Sequence, residues 1–125
     1  MKDRTVKQLH AVIRKFTLKW KTALFLGMWK IDWSIKDWLI SETKDFQCIA
    51  RCETDWKYFE ATLSFNFLKM KDMSEEEIEK TVIHELLHVV LNEMREGGVE
   101  HEERVVSHFT MVMNWLNGEA KDGKD

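Results

Sequence analysis

The sequence predicts a small α+β domain in which one helix precedes a three-stranded sheet and two helices follow it. Near both ends of the chain, apolar residues recur every three or four positions, which is the period of an amphipathic helix. Two central segments alternate apolar and polar residues, as half-buried strands do. The 125 residues match the usual size of one domain and contain no linker or repeat, so we expect a single domain over 1–125.

The first element is an amphipathic helix over 5–20, with Val6, Leu9, Ile13 and Phe16 at helical spacing. Its end, 14–21, interleaves basic and aromatic residues, a composition that also suits a groove for single-stranded nucleic acid. The structural interpretation is that the apolar residues enter the core while the cations stay in water. We prefer this interpretation to nucleic-acid binding.

Three strands are predicted next. Alternation places the first over 29–36 and the third, which is the clearest, over 59–67. The second, over 46–53, is short and apolar, with less regular alternation. Cys48 and Cys52 lie in it about 13 Å apart, too far to bridge each other, so both are expected to be buried thiols.

Two helices complete the chain. Ser74 and Glu77 form a capping box that starts a helix over 75–96, and Gly97 and Gly98 supply its C-terminal cap. A last helix over 100–117 is followed by a charged tail that should fray. The apolar residues expected to share one buried face of this last helix are Val105, Val106, Phe109, Val112, Met113 and Leu116.

Composition limits the cellular setting. Hydrophobic residues make up 44% of the chain, enough for a core, yet no apolar run approaches the roughly eighteen residues of a membrane-spanning helix. No secretory signal pattern is present. The net charge of -3 creates no field that would gather a polyanion. We expect a cytoplasmic protein without a membrane partner, and we do not expect nucleic acid as its main partner.

The chemistry-bearing motif is His84-Glu85-Leu86-Leu87-His88, an HExxH sequence inside the predicted helix over 75–96. Positions 84 and 88 lie one turn apart, so both imidazoles can reach one tetrahedral zinc ion. Glu85 is rotated by about 100° and can stand beside the ion, as a general base for metal-bound water does. We therefore predict His84 and His88 as zinc ligands and Glu85 as the catalytic base.

A catalytic zinc site also needs a third protein ligand and an open position. Three candidates follow the predicted turn: His101, Glu102 and Glu103. Glu103 is preferred because it is expected off the core face of the last helix, free to turn towards a cleft. Glu102 is the alternative, since it lies nearer the apolar stripe and a buried carboxylate needs a partner such as zinc. Each could instead be an ordinary acidic charge at a helix start.

The HELLH sequence, followed after a short turn by an EERVV helix, resembles the zinc metallopeptidases called gluzincins. The resemblance covers 84–109 and is closest to small HExxH proteins common in bacteriophage and prophage genomes; the ImmA/IrrE and SprT-like peptidases are more distantly similar. It implies a minimal zincin-like domain that hydrolyses peptide bonds, with His84, His88 and Glu103 binding zinc and Glu85 as base. It also implies that strand 59–67 is an edge strand along which a peptide substrate lies.

Two other functions compete with this prediction. The chain could be a non-catalytic zinc-binding module for protein interactions or nucleic-acid association, but a purely structural site has no use for a carboxylate at Glu85. A ribonuclease of the YbeY type would need glycine in place of Glu85 and histidine in place of Met94, and it is rejected. The sequence does not choose an oxyanion donor among Tyr58, Arg95, His101 and His108.

Overall fold

The computed structural model describes residues 3–37, 48–55, 58–91 and 99–122, leaving out the side chains of 99–102 and 119–122. It is an α+β structure of four helices and a three-stranded mixed sheet, which confirms the predicted class. The elements in chain order are α1 Val6–Ala23, β1 Lys30–Lys36, β2 Ala50–Asp55, β3 Glu60–Asn66, α2 Phe67–Met70, α3 Glu75–Val90 and α4 Val99–Asp122.

The sheet has the order β1-β3-β2, with β3 parallel to β1 and antiparallel to β2. Leu63 of β3 pairs with Trp33 on one side and with Cys52 on the other. The expectation that β3 is an edge strand is therefore wrong. The burial pattern agrees with a central position. Four consecutive residues of β3 are buried, so both of its faces are covered, as is typical of a strand inside the domain: Leu63, Ser64, Phe65 and Asn66.

Strand boundaries differ from the prediction where pairing with β3 overrides the local pattern. β2 begins at Ala50 rather than at 46, and it continues to Asp55 because Thr54 and Asp55 pair with Ala61 and Glu60 of β3. Residues 46 and 47 lie outside the described part of the chain. β3 ends at Asn66, whose side chain accepts a hydrogen bond from the Lys69 N–H and so caps the unpredicted short helix α2.

The helix α1 begins at a capping box formed by Thr5 and Gln8 and packs against α3. Phe16 and Trp20 are buried in the core, while Lys15 and Lys19 form ion pairs with acidic residues of α3. This arrangement agrees with the structural interpretation of 14–21 for Phe16 and Trp20, whereas Leu18 is 53% exposed. Because the rings of Phe16 and Trp20 are buried, they are not available at the surface for stacking with nucleic-acid bases.

The helix α3 is capped by Ser74 as predicted, but it ends at Val90 and not at 96. Leu91 leaves the helical conformation, at φ -105° and ψ 22°, and residues 92–98, which include the two glycines, lie outside the described part. Because α3 packs against α1, α4 and β2, it is buried around most of its circumference. Val90, the last residue of α3, is 43% exposed.

The last helix, α4, continues to Asp122 and includes Gly118, so the predicted helix end at 117 is wrong. Its core face is also narrower than predicted. Val106 and Thr110 are buried and Met113 is partly buried against the core, whereas Phe109, Val112 and Leu116 are exposed. The predicted apolar set therefore covers two faces of the helix, and only one of them packs against α3.

The described residues form one core between the helices and the sheet, in which Leu9, Ile13, Leu63, Phe65, Ile78, Val82 and Leu86 are completely buried. Cys48 and Cys52 form no disulfide bond within the described residues; Cys52 is buried as expected, whereas Cys48 is only partly buried. Among the described helices, none has the length and apolar composition needed to cross a membrane.

A buried carboxylate joins three helices. Glu79 of α3 is 1% exposed and accepts hydrogen bonds at Oε2 from Lys19 Nζ and Trp20 Nε1, both at 2.8 Å. Its Oε1 accepts a third from Asn117 Nδ2 of α4 at 3.1 Å. Buried charges are tolerated when their acceptors are satisfied in this way. Glu79 therefore holds α1 and α4 against α3 at the end opposite the histidines.

We expect Glu79→Ala to lower the free energy of unfolding by about 3 kcal/mol, because the buried Trp20 N–H and the Asn117 amide lose their acceptor. Lys19, which is partly exposed, can return to water and adds little. Urea unfolding at neutral pH measures the change. The matched control is Glu76→Ala, an exposed residue of the same helix. A loss for Glu79→Ala no larger than that of the control would contradict this role.

Candidate metal centre

The HExxH residues occupy the last two turns of α3, the helix that packs against α1, α4 and β2. The rings of His84 and His88 are neighbours, with centroids 5.0 Å apart and planes inclined by 70°. Their environments differ, since the His84 side chain is partly exposed while His88 is buried. The pair therefore has one side towards solvent and one side in the core.

The helix α4 brings a carboxylate to both histidines. Glu103 Oε1 lies 2.7 Å from His88 Nε2, and Glu103 Oε2 lies 3.4 Å from His84 Nε2. Glu103 shares a face of α4 with Val106 and Thr110, at spacings of three and seven residues, and these two pack in the interior. The contact of α4 with α3 thus aims Glu103 at the histidines.

Electrostatics keep this carboxylate charged. Hydrogen bonds from His84 and His88 hold the pKa of Glu103 well below its usual range, and partial burial opposes them only weakly. The side chain of Glu103 remains 48% exposed. At neutral pH the site therefore presents an anion between two imidazoles, with access from solvent.

These three side chains offer the donor types that a zinc ion binds. Two imidazole nitrogens and one carboxylate are the donor types of catalytic zinc sites, which leave a fourth position open. Donors of a tetrahedral zinc ion at 2.0 to 2.1 Å stand about 3.4 Å from one another. The distance from His84 Nε2 to Glu103 Oε2 already has this value, 3.4 Å. The distance from His88 Nε2 to Glu103 Oε1 is 2.7 Å, so a small movement of one of these side chains would be needed to lengthen it.

Glu85 forms a second carboxylate position next to the same nitrogens. Ligand atoms of His84, Glu85 and His88 all lie within 4.8 Å of one another, and Glu85 is 5% exposed. Glu103 is the stronger candidate for the third ligand because it contacts both Nε2 atoms directly. Glu85 then lies beside the two histidines, where a group that acts on a water molecule in the open position has to lie.

The other candidates are placed less closely or not at all. Glu102 and His101 belong to α4, but their side chains lie outside the described part, as does Arg95. Tyr58 is exposed just before β3, and His108 is exposed on α4 beside Phe109.

Two properties of the site were not predicted from the sequence. One is the burial of Glu85 and His88, which follows from the packing of α3 on three sides. The other is that the edge strand β2 packs against α3. The pattern of apolar residues did not indicate the burial of Glu85 and His88 or the packing of β2, because both properties depend on contacts between elements that are far apart in the chain.

Comparisons of the chain with protein-family models, with curated proteins and with solved structures find no match. The functional conclusion therefore rests on the arrangement of these side chains and on the chemistry that they can support.

Proposed function

We propose that this protein is a zinc-dependent metallohydrolase, a peptidase with a minimal zincin-like domain. The observation that supports the proposal is the convergence of His84 Nε2, His88 Nε2 and the Glu103 carboxylate, contributed by two helices, beside the buried Glu85. His84, His88 and Glu103 would hold the ion. When bound, zinc supplies Lewis acidity, which lowers the pKa of a coordinated water molecule and polarises a carbonyl group.

Glu85 is the general base in this proposal. Its carboxylate accepts a proton from the attacking water molecule and donates it to the leaving amine of the substrate. Its burial at 5% exposure places that charge in a medium of low dielectric constant, where a proton acceptor is more effective than in water. Glu103 remains ionised and offsets the positive charge of the ion.

An extended peptide is the substrate that suits the fold. β3 cannot bind such a peptide as an added strand, because β1 and β2 occupy both of its edges. Among the described strands, β2 is an edge strand that packs against α3, the helix that carries the histidines, so the β2 side of the sheet is the better candidate for contact with the substrate.

A non-catalytic zinc-binding module is the second candidate. It would use the same three ligands, since structural zinc also binds histidine and carboxylate. The feature that favours an enzyme is the presence of Glu85 beside the ligands, together with the solvent access of Glu103. The two functions are separated by hydrolysis that depends on both zinc and Glu85.

The metal content of purified protein tests the site. We expect one zinc ion per chain by plasma mass spectrometry in the wild type and in Glu102→Ala, and a large loss in Glu103→Ala, because Glu103 contacts both histidines. The two variants are matched in chemistry and adjacent in α4. Circular dichroism checks that each is folded. A folded wild type that binds no zinc, or retention of zinc by Glu103→Ala with loss by Glu102→Ala, would overturn this assignment.

A further inference from the structure

The helix α4 packs against α3 through a seam that is largely polar. The seam consists of five residues at alternating intervals of three and four positions, the spacing of one helix packed along another: Glu103, Val106, Thr110, Met113 and Asn117. Val106 and Thr110 are buried, and Met113 is partly buried against the core. The residues at the two ends, Glu103 and Asn117, contact polar side chains of α3.

A neighbouring row of α4 is more apolar than the seam. Val105, Phe109, Val112 and Leu116 have helix-packing spacing too, but their row is rotated by about 100° around the helix axis. The last three of these residues are exposed, from 37% for Val112 to 49% for Leu116. Because the hydrophobic effect grows with the apolar area removed from water, it favours burial of this row over burial of the seam. Polar interactions must therefore contribute to the rotation that α4 adopts.

A hydrogen-bonded amide fixes one end of the seam. Asn117 Nδ2 donates to Glu79 Oε1, and Asn117 Oδ1 accepts a hydrogen bond from Lys19 Nζ, each at 3.1 Å. Because Glu79 is 1% exposed, its carboxylate depends on donors from the protein and not on water. A rotation of α4 that carried position 117 away from Glu79 would break both hydrogen bonds of the amide.

We propose that Asn117 and Glu79 are positioning residues, which select the rotation of α4 that brings Glu103 to the histidines. Positions 103 and 117 are fourteen residues apart in one continuous helix, so they lie on the same side of α4, about 21 Å from each other. Fixing the rotation at Asn117 therefore fixes the direction in which Glu103 points. The buried polar pair chooses between two packings, as a single buried asparagine sets the register of a coiled coil.

The rotation matters for the candidate metal centre. In the observed rotation, the Glu103 carboxylate reaches Nε2 of both His84 and His88. If α4 instead buried the row that contains Phe109, Glu103 would turn away from the histidines by about 100°. The expected effect on zinc rests on the proposed function, whereas the contact between Glu103 and His88 needs no metal ion.

A reciprocal exchange of the two groups tests the proposal, with Asn117→Asp, Glu79→Gln and the double variant. Each single change places two like groups face to face, either two carboxylates or two amides. In the double variant, the new amide at position 79 donates to the new carboxylate at position 117, so the hydrogen bond returns with its direction reversed. Asn114→Asp is the control, because it makes the same chemical change one turn earlier in α4, in the same groove between the helices.

Two quantities are measured for each protein. One is the zinc affinity, by competition with a chromophoric chelator. The other, in the metal-free protein, is the nuclear Overhauser effect between the ring protons of His88 and the γ protons of Glu103. We expect Asn117→Asp to weaken zinc binding by about tenfold or more, as the loss of partners that orient metal ligands does, and to lose the Overhauser effect. The double variant should recover both, and the control should keep both.

Circular dichroism establishes that the variants are folded. If Asn117→Asp does not fold, Asn117→Ala removes the same hydrogen bonds without adding a charge, and the same losses are expected. A variant at position 117 that is less stable in urea but keeps its zinc affinity and the Overhauser effect would overturn the proposal, because the junction would then be structural only. So would a double variant no better than Asn117→Asp.

Failure of the proposed function gives a different result. A wild type that shows the Overhauser effect but binds no zinc would contradict a zinc enzyme. The positioning role would then be supported by loss of the Overhauser effect in Asn117→Asp and its return in the double variant, and it would be overturned if the effect persisted in Asn117→Asp.

Discussion

We expect Glu85→Gln to lower the rate of peptide hydrolysis by about 10³-fold while the protein keeps its zinc, because a positioned general base contributes roughly 10² to 10⁴. Glutamine has nearly the size of glutamate, so the buried position at 5% exposure is not emptied. The amide cannot accept the proton of the attacking water molecule. The measurement is cleavage of a fluorescence-quenched peptide library, with zinc content determined on the same samples.

The matched control for this variant is Glu76→Gln, an exposed residue at the start of α3. It should cleave the library as the wild type does. Undiminished hydrolysis by Glu85→Gln would remove Glu85 from the mechanism. A Glu85→Gln protein that has lost its zinc would instead make Glu85 a ligand, an outcome that its place within 4.8 Å of both histidine donors allows.

The second large effect is expected for His88→Ala, which should abolish stabilisation of the protein by zinc. His88 combines the closest contact to Glu103, 2.7 Å from Nε2 to Oε1, with 4% exposure. A ligand that binds only the folded state at a thousand times its Kd adds about 4 kcal/mol to the free energy of unfolding. The wild type should gain this amount from zinc, and His88→Ala, with two ligands left, should gain almost none.

Thermal unfolding with added zinc and with a chelator measures this difference. His108→Ala is the control, because it removes an exposed histidine of α4 and should respond to zinc as the wild type does. His88→Ala is also expected to be less stable than the wild type in the presence of chelator, since it opens a cavity at a buried position. The comparison with and without zinc within each protein separates the two effects. An unchanged melting temperature of the wild type in chelator would argue against a bound ion.

Much of the candidate site was predictable because it depends on local geometry. Two histidines four residues apart on a helix share a face whatever surrounds them, and the capping box at Ser74 makes the helix itself secure. The third ligand was less certain, since Glu102 and Glu103 point about 100° apart on α4. Glu103 was preferred as a residue off the core face, yet it lies on the row that packs against α3. The structure places Glu103 beside both histidines by way of that row, and its role as a metal ligand stays a prediction.

The amino-acid sequence by itself determined the α+β class, the capping of α1 and α3, and the spacing of His84, Glu85 and His88, all of which act within a few residues. The tertiary structure alone decided the central position of β3, the end of α3 at Val90, and the rotation of α4 that aims Glu103 inwards and leaves Phe109 and Trp115 exposed. These features depend on contacts between residues far apart in the chain. α4 has two rows of apolar residues, and its sequence pattern alone does not predict which of the two packs against the rest of the domain.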